Sequence, residues 1–335
     1  MARIALNFED GVTRIIESKS GETVSDAATA ARIKIPLDCT GGICGTCKCK
    51  IKTGTCDLGE YEADALSDEE IAEGFGLACQ MLPKSDMIIE ILASAEACKV
   101  EVEKYTAEIV AIEFLSPEIV KLVLKAQHNH KFHFLPGQYA HIEMPTVGIT
   151  RSYSFSNISD TETVEFLVRL LPEGVMSDYL RKEAKVGSVL HLSGPFGSFY
   201  LRDLERPVLF FAGGTGIAPF LSMLEKLSKD NKKHQQMQLF YGATTDENLV
   251  ELDRLEDFKT SLPFEYSTCV SGEKSNLHPN GFVTQWINKE HLGAQTYDIY
   301  VCGPPAMVDA VKSAIEKEGI SQNHFYVEKF TPSSS

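Results

Sequence analysis

The chain has 335 residues, 43% hydrophobic and 24% charged, the balance of an ordinary globular protein. At ~150 residues per domain that length predicts two or three domains rather than one core. With 47 acidic against 32 basic residues the net charge is −15, which argues against nucleic-acid and anionic-membrane partners, since both need basic patches.

The first residues, MARIALNFEDG, carry Glu9 and Asp10 and no apolar stretch of signal-peptide type. The longest apolar runs, such as PVLFFAGG, are too short to span a bilayer. The expected compartment is therefore the reducing cytoplasm, where clustered cysteines bind metal or do redox chemistry more often than they form disulfides. Nine cysteines, an odd number, fit poorly with a fully paired framework.

Residues 1–97 read as a cysteine-bearing unit. RIALNFEDGVTRIIES alternates apolar and polar residues around Asp10-Gly11, a hairpin signal, and residues 25–32 read as a short Ala-rich helix. Then CTGGICGTCKC places four cysteines in eleven residues. Cys39-x4-Cys44-x2-Cys47, with Cys79 following 32 positions later, has the plant-type [2Fe–2S] spacing. Gly41, Gly42 and Gly45 are expected to allow a backbone that a Cβ would obstruct, so that N–H groups can face the sulfurs. Cys49 competes with Cys47, but only Cys47 gives the two-residue gap; Cys56, Cys98 and Cys269 lack any such spacing. The alternative is a four-cysteine zinc site, although zinc sites usually pair C-x2-C units symmetrically. The unit resembles plant-type ferredoxins, which implies a β-grasp fold and one-electron transfer.

Between Asp57 and Glu73 lie eight acidic residues and no basic one. Ser67-Asp-Glu-Glu70 has capping-box spacing, so a solvated helix start is one reading. A docking surface for a basic partner beside a redox centre is the other.

Residues 98–104 read as a linker. From Tyr105 to about Asp203 the strand-like runs EIVAIEFL, IVKLVLKA, QYAHIEMP, SYSFSNI, TVEFLVRLL and SVLHLSG predict an antiparallel barrel interrupted by one helix near 175–183. From Arg206 the texture changes to alternation: PVLFFA, FLSMLEKL, QLFYGA, LVELDRLEDF, FEYSTCV, VTQWI, DIYVCG and AMVDAVKSAIEKE predict a doubly wound parallel sheet. The predicted domains are thus 1–97, 105–205 and 206–335, a multidomain α+β and α/β chain.

Arg151-Ser-Tyr-Ser154, preceded by Phe134-Leu-Pro-Gly-Gln-Tyr139 and followed by Gly174-Val-Met-Ser177 and Gly194-Pro-Phe-Gly197, is similar to the FAD-binding barrel of the ferredoxin–NADP reductase superfamily. The resemblance covers roughly 100–335. It implies that Arg151 pairs with the FAD pyrophosphate, that Tyr153 lies on the flavin, and that Ser154 donates toward its N5 edge. Gly174, Val175, Met176 and Ser177 would hold the pyrophosphate at a helix N-terminus. Val168 and Leu170 would border the ring through backbone groups, while their side chains read as core.

Gly213-Gly214-Thr215-Gly216-Ile-Ala-Pro219 sits between a predicted strand and helix, where free N–H groups favour a phosphate. Cys302-Gly303-Pro304-Pro305 ends the predicted strand DIYVCG. In the superfamily this pair of loops holds NAD(P)H with the cysteine at the nicotinamide; a buried space-filler is the alternative for Cys302. Asp246 and Glu247 would repel a 2′-phosphate and accept from ribose hydroxyls, which favours NADH, although Arg254 could still contribute to a phosphate. Glu328 and Phe330 match the acidic and aromatic residues that approach the flavin near the superfamily's C-terminus, and five residues follow Phe330 here.

The three modules in this order resemble the reductase components of bacterial aromatic-ring oxygenases, those of the benzoate/toluate 1,2-dioxygenases above all. The resemblance implies an NADH-dependent reductase that carries FAD and a [2Fe–2S] cluster and passes electrons to a terminal oxygenase component, with Ser154, Cys302 and Glu328 at the reacting centre; a monomer suits such a shuttle. The same order serves methane monooxygenase, phenol hydroxylase and CDP-6-deoxyhexose reductases. A non-catalytic redox carrier or sensor is the reading from another class, and retention of both nucleotide loops argues against it.

Overall fold

The computed structural model describes residues 1–99, 101–145, 147–230, 232–272 and 275–330. It divides the chain into two compact units: Met1–Val102 with Pro195–Ser198, and Glu103–Gly194 with the chain from Phe199 onward.

In the first unit the alternating N-terminus forms β1 (Ala2–Phe8) and β2 (Thr13–Ser18), an antiparallel pair turned through Gly11 at φ +76°. The helix α1 (Val24–Ala30) starts at a capping box of Thr23 and Asp26 and buries Val24, Ala27 and Ala28. Next come β3 (Lys48–Thr53), β4 (Cys56–Asp57), α2 (Asp68–Ala72), β5 (Phe75–Leu77), β6 (Leu82–Pro83) and β7 (Met87–Ile91). The sheet order is β2-β1-β7-β3-β5, with β1 and β7 parallel, and β4 pairs with β6. This is the β-grasp arrangement. The segment read as a linker holds a 3-10 turn at Ala97–Lys99, and the next strand begins at Glu103, inside the predicted boundary; Val100 lies outside the described residues.

The second unit opens with β8 (Glu103–Ser116), β9 (Ile119–Ala126), β10 (Tyr139–Glu143), β11 (Thr150–Ser154) and β12 (Thr163–Arg169). Then come α3 (Val175–Lys182) and β13 (Val189–Phe196). These strands form one sheet, β11-β10-β13-β8-β9-β12, and an isolated antiparallel bridge between Phe155 and Phe166 joins the chain just after β11 to β12. Its interior is apolar, with Ile109, Leu122, Ile142, Phe166 and Leu190 fully buried.

The remaining elements are β14 (Val208–Gly213), α4 (Ala218–Lys229), β15 (Met237–Ala243), α5 (Leu252–Ser261), β16 (Phe264–Val270), α6 (Lys289–Leu292), β17 (Tyr297–Gly303), α7 (Pro305–Glu318) and β18 (Gln322–Lys329). The sheet is parallel throughout, in the order β16-β15-β14-β17-β18. Its central strands are buried on both faces, as a parallel sheet covered by helices on each side requires. Phe220, Leu221 and Leu224 of α4 and Leu255 of α5 cover one face; Val308, Val311 and Ile315 of α7 cover the other. Each fully buried Phe or Leu contributes about 1.5–3 kcal/mol relative to exposure.

Two expected helices differ. VTQWI makes only a 3-10 turn, Val283–Trp286, because Ile287 leaves helical geometry (ψ 85°) and the Asn288 side chain caps α6 instead. α5 starts three residues later than LVELDRLEDF suggested, because Glu251 adopts a left-handed conformation at φ +61°. The barrel and the parallel sheet lie within one compact unit. Ile119, Leu167 and Phe199 join the core of the parallel sheet. Ser222 Oγ donates to the Asn157 carbonyl at 2.7 Å, and Ser116 Oγ donates to Asn248 Oδ1 at 2.9 Å.

Candidate functional site

The four spaced cysteines stand in two pairs. The Cys44 N–H donates to Cys39 Sγ at 3.4 Å, and the Cys79 N–H donates to Cys47 Sγ at 3.5 Å. A [2Fe–2S] cluster takes four thiolates, two on each iron, so the donor set and its pairing fit that group. Among the described residues no three His, Cys, Asp or Glu converge on a single-ion position. One thiol of each pair titrates below its usual value. The Cys47 S–H holds Cys79 down to about 6 against the cost of burial, and the Gly42 N–H and the Gln80 side chain assist. Burial pushes Cys39 up, but the Cys44 thiol and the N–H groups of Cys44, Ile43 and Gly41 together bring it below its usual value. Their partners rise: Cys44 to about 11, chiefly by burial, and Cys47 through its bond to Cys79 and then burial.

Gly42 (φ +72°) is required, since a Cβ there would lie 2.4 Å from the Glu60 carbonyl oxygen. Gly41 is not: a Cβ would meet only the Ile43 side chain at 3.5 Å, an ordinary contact, which corrects the expectation for that position. Cys49 turns away into β5, where its Sγ donates to the Gly76 carbonyl at 3.5 Å. Ile43, unremarked in the sequence, lies between Cys39 and Cys44 with 58% of its surface exposed. The acidic run includes the solvated helix start that its spacing predicts. Ser67 and Glu70 form the capping box of α2, while Glu60, Glu62, Asp64 and Asp68 face solvent.

In the second unit β11 carries Arg151, Tyr153 and Ser154. The Arg151 guanidinium is hydrogen-bonded, among the described residues, to the carbonyl of its neighbour Thr150 at 2.9 Å, which leaves donors for an anion. Burial holds the Tyr153 hydroxyl protonated far above its usual value, with the Arg151 charge opposing. Gly174 precedes α3, and its N-terminal residues Val175, Met176 and Ser177 contribute first-turn amides free of intrahelical bonds. A Cβ at Gly174 would lie 2.8 Å from Ser177 Oγ, which accepts from the Leu171 N–H at 2.8 Å. This cation and amide set fits a diphosphate. Val168 is fully buried in the barrel core and Leu170 is nearly so; the Leu170 N–H is taken by the Glu118 carbonyl at 2.7 Å. That amide is therefore engaged within the barrel.

The Gly213–Gly216 turn and the Cys302–Pro304 loop interlock. Gly213 ends β14, Gly214 and Thr215 open a 3-10 turn, and a Cβ at Gly216 would sit 2.3 Å from the Cys302 carbonyl oxygen. Gly214 is left-handed at φ +55° and faces open space, the cradle a phosphate would use. Gly303 and Pro304 lead into α7, and Gly303 accepts the Phe330 N–H at 2.9 Å. Phe330 packs partly buried on the core shared by barrel and sheet; the tail 331–335 lies outside the described residues.

Ser154, Cys302 and Glu328 meet, although they come from β11, β17 and β18. Ser154 Oγ donates to Glu328 Oε2 at 3.1 Å, and Cys302 Sγ donates to the same oxygen at 3.8 Å. Cys302 and Glu328 are register partners across the parallel strands. Burial, then the Glu328 charge and its hydrogen bond, push the Cys302 thiol far up, so it stays protonated.

At the same carboxyl end of the sheet Asp246 lies just past β15, half-buried, and accepts from Ser275 Oγ at 2.6 Å. Arg254 is not available to a phosphate, contrary to the possibility left by the sequence. Its guanidinium faces Glu165 at 3.4 Å, Glu225 at 3.2 Å, Glu251 at 3.3 Å and the Ser156 carbonyl at 3.0 Å. Nothing in the sequence marked Ser275, or Arg202, which stacks between the rings of Tyr200 (3.7 Å) and Tyr326 (4.2 Å); both depend on contacts between distant segments.

Three family models match in chain order. They are the 2Fe-2S iron-sulfur cluster binding domain over residues 7–84, the oxidoreductase FAD-binding domain over 106–200, and the oxidoreductase NAD-binding domain over 210–313. The chain is 45% identical to the toluate 1,2-dioxygenase electron transfer component of Pseudomonas putida, over 99% of both chains. It is 44% identical to the 2-halobenzoate 1,2-dioxygenase electron transfer component of Burkholderia cepacia, over 98% of both. Among solved structures it is similar to the Amycolatopsis cytochrome P450 reductase GcoB, with a TM-score of 0.73, 28% identity and coverage of 99% of this chain and 100% of that one. The chain belongs to the family of dioxygenase electron transfer components, iron–sulfur flavoprotein reductases in which a [2Fe–2S] domain, an FAD-binding domain and an NAD-binding domain follow one another in one polypeptide.

Proposed function

We propose that the chain transfers electrons from NADH to the terminal oxygenase of an aromatic-ring dioxygenase of the benzoate type, acting as a cytoplasmic monomer. Full-length similarity to the toluate and 2-halobenzoate components carries this reading. The nine cysteines, all free thiols, accord with a reducing compartment.

When bound, the nicotinamide, flavin and iron–sulfur groups together supply two-electron input and one-electron output. The protein's own residues do the positioning. Arg151 and the first-turn amides of α3 hold the flavin's diphosphate, and Tyr153 lies against its ring. The Gly213–Gly216 turn and the Cys302–Pro304 loop hold the nicotinamide nucleotide, and Phe330 stands at their edge. Ser154 Oγ and Glu328 Oε2 share a proton beside the reacting atoms, with Cys302 Sγ as a second donor to the same carboxylate oxygen. Ser154 and Cys302 are almost fully buried, so this exchange is shielded from bulk water. Asp246 accepts from the adenosine ribose, and Arg254 is engaged among Glu165, Glu225 and Glu251 rather than turned toward a 2′-phosphate. Cys39, Cys44, Cys47 and Cys79 ligate the cluster, and the exposed Ile43 with its acidic surroundings faces the acceptor.

Reconstitution tests the reading. Anaerobic NADH should bleach both flavin and cluster absorption. With purified benzoate-, toluate- or halobenzoate-type oxygenase, oxygen uptake should be coupled to ring cis-dihydroxylation. Coupling to a di-iron monooxygenase hydroxylase, with none to the ring dioxygenases, would reassign the partner.

A further inference from the structure

We propose that Ser275 is a positioning residue for nucleotide choice, one that locks the Asp246 carboxylate as a fixed acceptor and so favours NADH over NADPH. The inference rests on the reading of Asp246 as the ribose contact.

The segment after β16 folds back onto the segment after β15. The Ser271 N–H donates to the Ala243 carbonyl at 3.0 Å, and the Gly272 N–H donates to the Thr244 carbonyl at 2.9 Å. A Cβ at Gly272 would lie 2.5 Å from the Thr244 carbonyl oxygen, so only glycine permits this approach. Ser275 is thereby brought to Asp246 across 29 positions of sequence. Its own loop is braced: the Ser275 N–H donates to Asn280 Oδ1 at 3.1 Å, and His278 Nδ1 pairs with Thr268 Oγ1 at 2.8 Å.

The hydrogen-bond inventory sets the polarity. A serine hydroxyl has one proton and two lone pairs. Ser275 Oγ accepts from the backbone N–H of Leu277 and from that of His278, both at 2.9 Å. With both acceptor sites used, its one proton goes to Asp246 Oδ1, at 2.6 Å, the length of a hydroxyl bonded to an ionised carboxylate. Asp246 therefore cannot turn its Oδ1 outward as a donor, and its other oxygen remains an acceptor of fixed direction. A ribose 2′-hydroxyl can donate to such an oxygen; a 2′-phosphate, which has no proton to give it, meets a carboxylate held in place by Ser275.

The test is steady-state kinetics of the holoenzyme with ferricyanide as acceptor, for NADH and NADPH separately. Ser275→Ala should raise the KM for NADH about fivefold, the effect of one lost hydrogen bond, with kcat unchanged and the NADH preference reduced. Ser275→Thr, which keeps the hydroxyl, should restore both. In an Asp246→Ala background Ser275→Ala should add less than about twofold, because its effect passes through the carboxylate. Unchanged KM and preference in Ser275→Ala, beside a clear loss in Asp246→Ala, would overturn the role of Ser275 alone. An equal effect of Ser275→Ala with and without Asp246 would do the same. If Asp246→Ala itself leaves both nucleotides unaffected, the ribose reading fails and the role of Ser275 fails with it.

Discussion

The two units treat negative charge in opposite ways. In the first, thiols are surrounded by donors: Cys39 and Cys79 both titrate below their usual value, and the carboxylates Glu60, Glu62, Asp64 and Asp68 point to water. In the second, the fully buried thiol of Cys302 faces a carboxylate and stays protonated, while Glu165, Glu225 and Glu251 are drawn inward around one arginine. One residue type thus does two jobs. A cysteine among N–H groups is ready to become a metal ligand, and a cysteine beside Glu328 stays a thiol that donates a hydrogen bond.

The largest expected effect breaks the first half of this contrast. Cys79→Ala should abolish cluster assembly, measured as loss of iron and acid-labile sulfide, and should remove electron delivery to the oxygenase while NADH–ferricyanide activity through the flavin persists. Cys49→Ala should keep a full complement of iron, because that thiol bonds to Gly76 and not to the paired sulfurs. If Cys49→Ala lost the iron and Cys79→Ala kept it, the ligand assignment would be reversed.

The second half is tested at Glu328. Glu328→Gln should slow flavin reduction by NADH about 100-fold in anaerobic stopped flow, and Ser154→Ala by a similar factor, since both remove a positioned proton partner. Cys302→Ala should cost less, about tenfold. Because burial and Glu328 hold its thiol protonated, loss of Cys302 should lower the rate without changing the shape of the pH profile up to about 9. A pH dependence that vanishes in Cys302→Ala would mean the thiol titrates in the working range.

Much of this was legible in the sequence, for identifiable reasons. The cluster ligands share one loop plus Cys79, so spacing exposes them. The strand patterns of β9 and β14 run within a few residues, where periodicity is strong. The loops at Gly213–Gly216 and Cys302–Pro304 are local punctuation between strand and helix. What periodicity could not show was long-range. Arg254 looked free because its partners are scattered: Glu165 lies on β12, Glu225 on α4, and Glu251 stands just before α5. The late start of α5 depends on the left-handed Glu251, which those same contacts hold in place. The contacts that join the barrel to the parallel sheet, Ser222 to Asn157 and Ser116 to Asn248, carry no local pattern.

The inward carboxylates give a smaller effect with a definite pH sign. Burial raises Glu165 above its usual value, and the charges of Arg254 and Lys121 oppose that rise. A carboxyl whose folded pKa is raised loses stability as pH climbs from its unfolded value through its folded one. Arg254→Met would remove the largest opposing charge, raise Glu165 further and leave Glu251, whose side chain is only 3% exposed, with Lys121 alone at 2.7 Å. The variant should therefore be destabilised by about 3 kcal/mol near neutral pH, with the deficit shrinking toward pH 5 as Glu165 protonates. Thermal melting across that range checks it; a deficit that grows as pH falls would contradict the burial argument.

The smallest effect concerns the outward carboxylates. Replacing Glu60, Glu62 and Asp64 by lysine should leave iron content, flavin reduction and NADH–ferricyanide activity unchanged, because none of these side chains touches a site residue identified above. Transfer to the oxygenase should slow about tenfold at low ionic strength, through the encounter rate, and the gap should close as salt approaches ~0.5 M, where charges separated by more than a few ångströms are screened. Ile43→Ser, at an exposed apolar side chain of the cysteine loop, should weaken transfer without that salt dependence, since it removes apolar contact and no charge. The pair of variants separates steering from contact. If the lysine variant behaved like Ile43→Ser at every salt concentration, the acidic run would be a solvated face only, and the opposition between the two units would hold for their thiols but not for their carboxylates.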